Sequence, residues 1–237
     1  MRTASRFEQA QLARNMGRSS RNPISLATRL GLYKRYAQKR QNPNLAGVVE
    51  AITYSFYDQA TFAQNAAFAQ TLLFQTPVGQ GGKLLSQSDM TFPGVFPNPQ
   101  RFTIWAICVH ISNNTIPADM QNLVQNVTLQ LSINTKPYQQ GPLALFPAGR
   151  GWELVAAAQV GTAPAGSSAL YSTSNGPVDP RAVYMMDIPI TIEQGEQFNV
   201  LLVPQSAFNL TANSTNPPGV GTVITVYLDG NWERGVS

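Results

Sequence analysis

At 237 residues the chain is long enough for one large domain or two small ones. Its single cysteine, Cys108, rules out an intrachain disulfide framework. No run approaches the ~18 consecutive apolar residues that a membrane-crossing helix needs. Charged residues make up only 12% of the chain, about half the usual share, and 20 Gln and 17 Asn supply polarity instead.

The net charge of +4 hides a sharp division. Residues 1–41 hold ten cations (Arg2, Arg6, Arg14, Arg18, Arg21, Arg29, Lys34, Arg35, Lys39 and Arg40) against one acid, Glu8, for a net +9. Residues 42–237 hold six cations against eleven acids, a net −5. A basic arm joined to a mildly acidic body points to a polyanionic partner for the arm. No apolar segment follows the first charges, so no secretory signal is expected and synthesis is assigned to the cytoplasm.

Within the arm, Asn22-Pro23 reads as an N-cap followed by proline at the first helical position. Leu26, Leu30, Tyr33 and Ala37 then recur on one helical face. Asn42-Pro43-Asn44 ends the pattern, so the arm is taken as residues 1–44 with one or two short helices, and the body as 45–237.

The period then changes to two. Ile52, Tyr54 and Phe56 alternate with polar residues, and residues 61–74 read as extended, with Phe62, Ala66, Phe68 and Leu72 on one parity. Residues 76–82 and 92–99 are loops. Residues 102–111 are apolar on both parities and predict a strand covered on both faces, whereas 127–134 alternate cleanly and predict one wet face. Residues 141–151 read as a turn-rich connection, 152–160 as a further strand and 161–180 as a long loop. Strands are expected at 182–192, 197–203 and 220–228, the first two joined as a hairpin through Glu193-Gln194-Gly195-Glu196. Eight or nine strands with no helix in the body mean an all-β sandwich or barrel.

No residue set signals catalysis. The only histidine, His110, shares a strand face with Cys108, but such neighbours stand about 7 Å apart and no third residue is at hand. One Cys and one His are too few for a zinc site. Gly79-Gln80-Gly81-Gly82-Lys83 has the wrong glycine spacing for a phosphate loop, and Leu84 stands where Ser or Thr is needed, so it reads as a flexible loop. No catalytic residue, metal or cofactor is therefore assigned, and an enzyme is not expected. The ten arm cations remain as candidate contacts, able to neutralise phosphates without reading base sequence or to meet an anionic bilayer.

This layout, from the basic arm to the closing strand Thr222-Val223-Ile224-Thr225-Val226-Tyr227-Leu228, resembles the jelly-roll coat proteins of small icosahedral viruses, tailless bacteriophages in particular. The resemblance lies in plan, since jelly rolls carry no diagnostic motif. It implies a single jelly roll of about eight strands and a structural capsid protein that assembles with copies of itself and with other virion proteins. It also implies an arm turned inward to viral nucleic acid or an internal lipid membrane, and residence in the virion. The amide-rich surface suits burial between subunits, because amides surrender less hydration than ions. The alternative from another class is a receptor- or carbohydrate-binding sandwich of a spike or minor virion protein, which predicts Trp and Tyr exposed on one face.

Overall fold

Two-residue alternation builds ten strands among the described residues. The computed structural model describes residues 49–112, 115, 117–148, 153–157, 170–174, 183–211 and 221–235, all of which belong to one compact unit, residues 48–237. The strands are β1 (Val49–Phe62), β2 (Thr71–Leu73), β3 (Arg101–Ile111), β4 (Val127–Ile133), β5 (Lys136–Pro142), β6 (Glu153–Ala157), β7 (Leu170–Ser174), β8 (Tyr184–Ile192), β9 (Phe198–Pro204) and β10 (Thr222–Gly235). One helix, α1 (Pro117–Asn126), precedes β4.

Eight strands form two four-stranded antiparallel sheets, sheet I in the order β1-β10-β3-β8 and sheet II in the order β2-β9-β4-β5. Every pairing is antiparallel. The pairs are nested: of these eight strands the first pairs with the last (β1·β10), then β2·β9, β3·β8 and, innermost, β4·β5. β6 and β7 pair only with each other, between β5 and β8 in sequence. The architecture is an all-β sandwich.

Both sheets feed one core. Phe102, Ile104, Ile107 and Val109 of β3 and Ile224, Val226 and Leu228 of β10 share it with Leu129 and Leu131 of β4 and Phe198, Val200 and Leu202 of β9. Because β-strand side chains alternate faces, Ile104 and Ile107 can both point inward only if one residue is skipped. A bulge at Trp105 does this, as Ile104 pairs with Gly230 and Ala106 with Asp229. The double apolar parity of 102–111 thus records a change of register as well as double coverage, although Thr103 and Cys108 on the outer face are also buried. Gly230 permits the bulge: a Cβ there would lie 2.0 Å from the Thr103 carbonyl oxygen. Asp229-Gly230 resembles a turn signal, and for this reason β10 runs seven residues beyond its expected end at 228.

Several expectations are corrected. Residues 61–74 are not one extended strand, because the chain turns at Asn65 (φ 55°) and re-enters as the three-residue β2 in the other sheet. There Leu73 is buried and Leu72, assigned to the apolar parity, is exposed. The body does contain a helix: Pro117 opens α1, Asp119 suits its first turn, and Met120, Leu123 and Val124 meet the core at helical spacing. Residues 136–142 form β5 despite two prolines, which an edge strand tolerates. The expected loop at 161–180 contains β7. Residues 193–196 turn the chain, but β8 and β9 lie in different sheets, so they are a crossover and not a hairpin. The polar face of β4 is only half wet, with Thr128 and Gln130 half-buried and Ser132 buried.

Phe102 is fully buried, edge-on to Phe56 at 4.8 Å between centroids. Phe102→Ala is expected to lower the unfolding free energy by about 3–5 kcal/mol, and Ile188→Ser, at an exposed position, by less than about 0.5 kcal/mol. Denaturant unfolding followed by tryptophan fluorescence measures both, and equal losses would contradict this core.

Candidate functional site

The ten arm cations, Arg2 to Arg40, lie outside the described residues. Among the described residues the candidate surface is the set of sheet edges and the chemistry that covers them, since unpaired strand edges are where one chain can join another.

His110 and Cys108 share the outer face of sheet I but have separate surroundings. The Cys108 thiol is fully buried and points to Asp229 Oδ2 at 3.6 Å. Asp229 also accepts a hydrogen bond from the Ser55 hydroxyl. His110 is half-buried and pairs across the strands with Thr225. Its Nε2 is buried without a hydrogen-bond partner, and burial lowers its pKa. The thiol thus has a carboxylate as a polar neighbour. Among the described residues no group of three or more His, Cys, Asp or Glu side chains could hold a metal ion.

The β1 edge of sheet I carries a cluster that sequence reasoning missed. Asp58 takes an inward position between Phe56 and Ala60 and is completely buried. Its carboxylate accepts hydrogen bonds from the backbone N–H groups of Gln59 and Phe74 and an ion pair from the Lys83 ammonium. Lys83 therefore closes the glycine-rich turn onto the body, and the expected flexible loop is tethered. Next to it, Gln59 N–H donates to Gln87 O at 3.0 Å and Asp89 N–H to Tyr57 O at 3.3 Å, so residues 87–89 cover part of the free side of β1. Tyr57 N–H donates in turn to Asp89 Oδ1 at 3.0 Å, and the Tyr57 hydroxyl donates to Leu85 O. Burial pushes the Asp89 carboxyl up to about 6, against the lowering effect of the Tyr57 N–H. Burial and the Asp89 charge raise Tyr54 and Tyr57 above their ordinary range. The one legible clue was Lys83 itself, an isolated cation in a body with few.

The opposite edge of sheet I is β8. Between its pairs with Ile104 and Ala106 of β3, β8 spends four residues, Met186–Pro189, against one, Trp105. This excursion lifts Ile188 to 74% exposure, with Met185 at 54% beside it. Pro189 lacks the N–H that a further strand would need. At the β1 edge, Leu84 and Leu85 are 62% and 65% exposed. In sheet II the edges are the short β2 and the proline-containing β5, where the Lys136 ammonium lies 5.5 Å from the Tyr138 ring centroid. Each edge of sheet I thus limits backbone pairing while offering apolar side chains.

Of the tryptophans, Trp105 and Trp232 are half-buried and Trp152 lies outside the described residues. Trp232 packs against Tyr54 and Phe56 and beneath the Arg234 guanidinium, 5.0 Å from the ring centroid. The exposed row of Trp and Tyr required by a carbohydrate-binding face is not found among the described residues. Comparison of the chain with protein-family models, with curated proteins and with solved structures gave no match.

Removing one partner of a buried ion pair leaves an uncompensated charge. Lys83→Met is expected to lower stability at pH 7 by about 3 kcal/mol. Adding Asp58→Asn should recover part of that loss, because it removes the buried charge, and only part, because Phe74 and Gln59 donate to different oxygens of Asp58 and the single amide oxygen can accept from one of them. Denaturant unfolding checks both, and an undiminished Lys83→Met protein would contradict the pairing.

Proposed function

We propose that the chain is a structural capsid protein, with a jelly-roll shell domain that assembles with copies of itself and a basic arm that meets nucleic acid or an internal membrane. The observation that carries the reading is the nested strand order, β1·β10, β2·β9, β3·β8 and β4·β5, divided between two sheets. A jelly roll is an eight-strand antiparallel hairpin wrapped into two sheets, and the nested order of these pairs supports that reading. β6–β7 is then an insertion between the fifth and sixth strands of the roll.

The surface supports self-association. Charge is sparse and amides abundant, so contact desolvates few ions. The apolar side chains at the two edges of sheet I are different patches on opposite sides of one sheet. Contact between unlike patches is heterologous, the kind that closes into rings. Each contact is small, and many copies together supply the stability.

The arm reading rests on its net +9. Deleting residues 1–41 is expected to leave a folded body that no longer retains DNA or anionic vesicles at low salt. For the full chain, six to ten phosphate contacts would weaken DNA binding by about 10³–10⁵ between 50 and 200 mM salt. Polyanion retention unchanged by the deletion would remove the arm's role.

A further inference from the structure

Two carboxylates face the same stretch of β1, and only one has a cation. Asp58 takes the Lys83 ammonium. Asp89 receives the Tyr57 backbone N–H on Oδ1 and is also favoured as an anion by its own backbone N–H, but its Oδ2 is buried with no hydrogen-bond partner of good geometry. The Tyr54 hydroxyl lies near enough to favour the carboxylate as well, but burial outweighs these hydrogen bonds and raises the carboxyl. A neutral carboxyl fits such a place, whereas a carboxylate there is a second buried anion with no cation of its own. Asp89 is also the residue that fastens the segment, since its N–H and Oδ1 engage both backbone groups of Tyr57.

We infer that residues 83–89 form a proton-operated clasp on the free edge of β1, closed when Asp89 is protonated and loosened when it ionises. The inference does not depend on the capsid reading. The other groups that act on Asp89 are Tyr54, Tyr57 and Asp58 from β1; beyond them, Lys83 of the segment itself pairs with Asp58, and the Tyr227 ring of β10 lies 6.1 Å from that of Tyr57. Tyr54 and Tyr57 are raised above 10 and stay neutral through the physiological range, and Lys83 is committed to Asp58. His110 titrates on β3, which β10 separates from β1.

The closed clasp binds the Asp89 proton more tightly than the open one, with a pKa of about 6 against 3.8. Its stability is therefore full below about pH 4 and is lost as pH rises through about 6. On these values the opening constant rises about tenfold between pH 5.0 and 7.5. Opening frees the backbone N–H and C=O of Tyr57 on the sheet edge, a start for a further strand, while the Gln59 N–H keeps Asp58 Oδ1 as an acceptor.

Hydrogen exchange of the full chain, corrected for the intrinsic pH dependence of exchange, tests this on peptides covering 54–60 and 83–90. Between pH 5.0 and 7.5 the wild type should open about tenfold more. Asp89→Asn, which keeps an acceptor for Tyr57 N–H, should show no such rise, and His110→Gln should behave as wild type. A flat wild-type profile, or the same rise in Asp89→Asn, overturns the clasp. If Asp89→Asn does not fold, carbon-13 carboxyl titration of the wild type decides: a midpoint for Asp89 near 6 supports the clasp, and one near 4 overturns it.

Discussion

Phe96 ties the two sheets together. Its ring stacks on Phe198 of sheet II at 5.2 Å and leans on Phe56 and Phe102 of sheet I at 4.9 and 5.7 Å. It belongs to no strand, so its position depends on backbone bonds from both sides. Gly94 N–H donates to Phe74 O, Phe198 N–H to Gly94 O and Gly195 N–H to Phe96 O, all within 2.9 Å. Gly94 (φ 59°) comes so close that a Cβ would sit 2.5 Å from the Phe198 carbonyl oxygen. The β2–β3 connection is therefore part of the core, and the nested pairing on either side can close around it.

The same connection serves the outer edge. From Phe74 it passes through the turn that Lys83 fastens to Asp58, runs beside β1 at residues 87–89, and returns inward at Met90 and Phe96. One segment thus packs the core, covers part of a strand edge and places Leu84 and Leu85 at the surface. Burial of Phe96 and Met90 holds it in place, so a local change at Asp89 can loosen the covering residues without loosening the sandwich. The edge at β8 is guarded differently, by an excursion and a proline, and needs no titratable group.

Much of the sandwich was legible because alternation is a local signal. The rows Val127, Leu129, Leu131, Ile133 and Phe198, Val200, Leu202 announce inward faces by parity alone. What failed was local chemistry overridden by distant partners. Asp229-Gly230 looks like a turn until Thr103 is set against it, and the prolines of β5 look like breakers until that strand is found at an edge. α1 was readable in Met120, Leu123 and Val124, yet it is short and follows Asn- and Pro-containing sequence. Asp58 and Lys83 lie 25 residues apart, and no spacing rule joins them. Asp89 is one scattered acid in the sequence and becomes distinctive only when Asp58 claims the nearby cation.

The function proposed above lies in how copies of the chain would meet. The scarcity of charge and the apolar residues at opposite edges of one sheet support that proposal, as does the confinement of most positive charge to residues 1–41. Electron microscopy of the purified full-length chain over a range of concentrations tests this most directly. The account predicts closed particles of uniform size built from many copies. A monodisperse monomer that persists at high concentration, with or without nucleic acid or anionic vesicles, would contradict it.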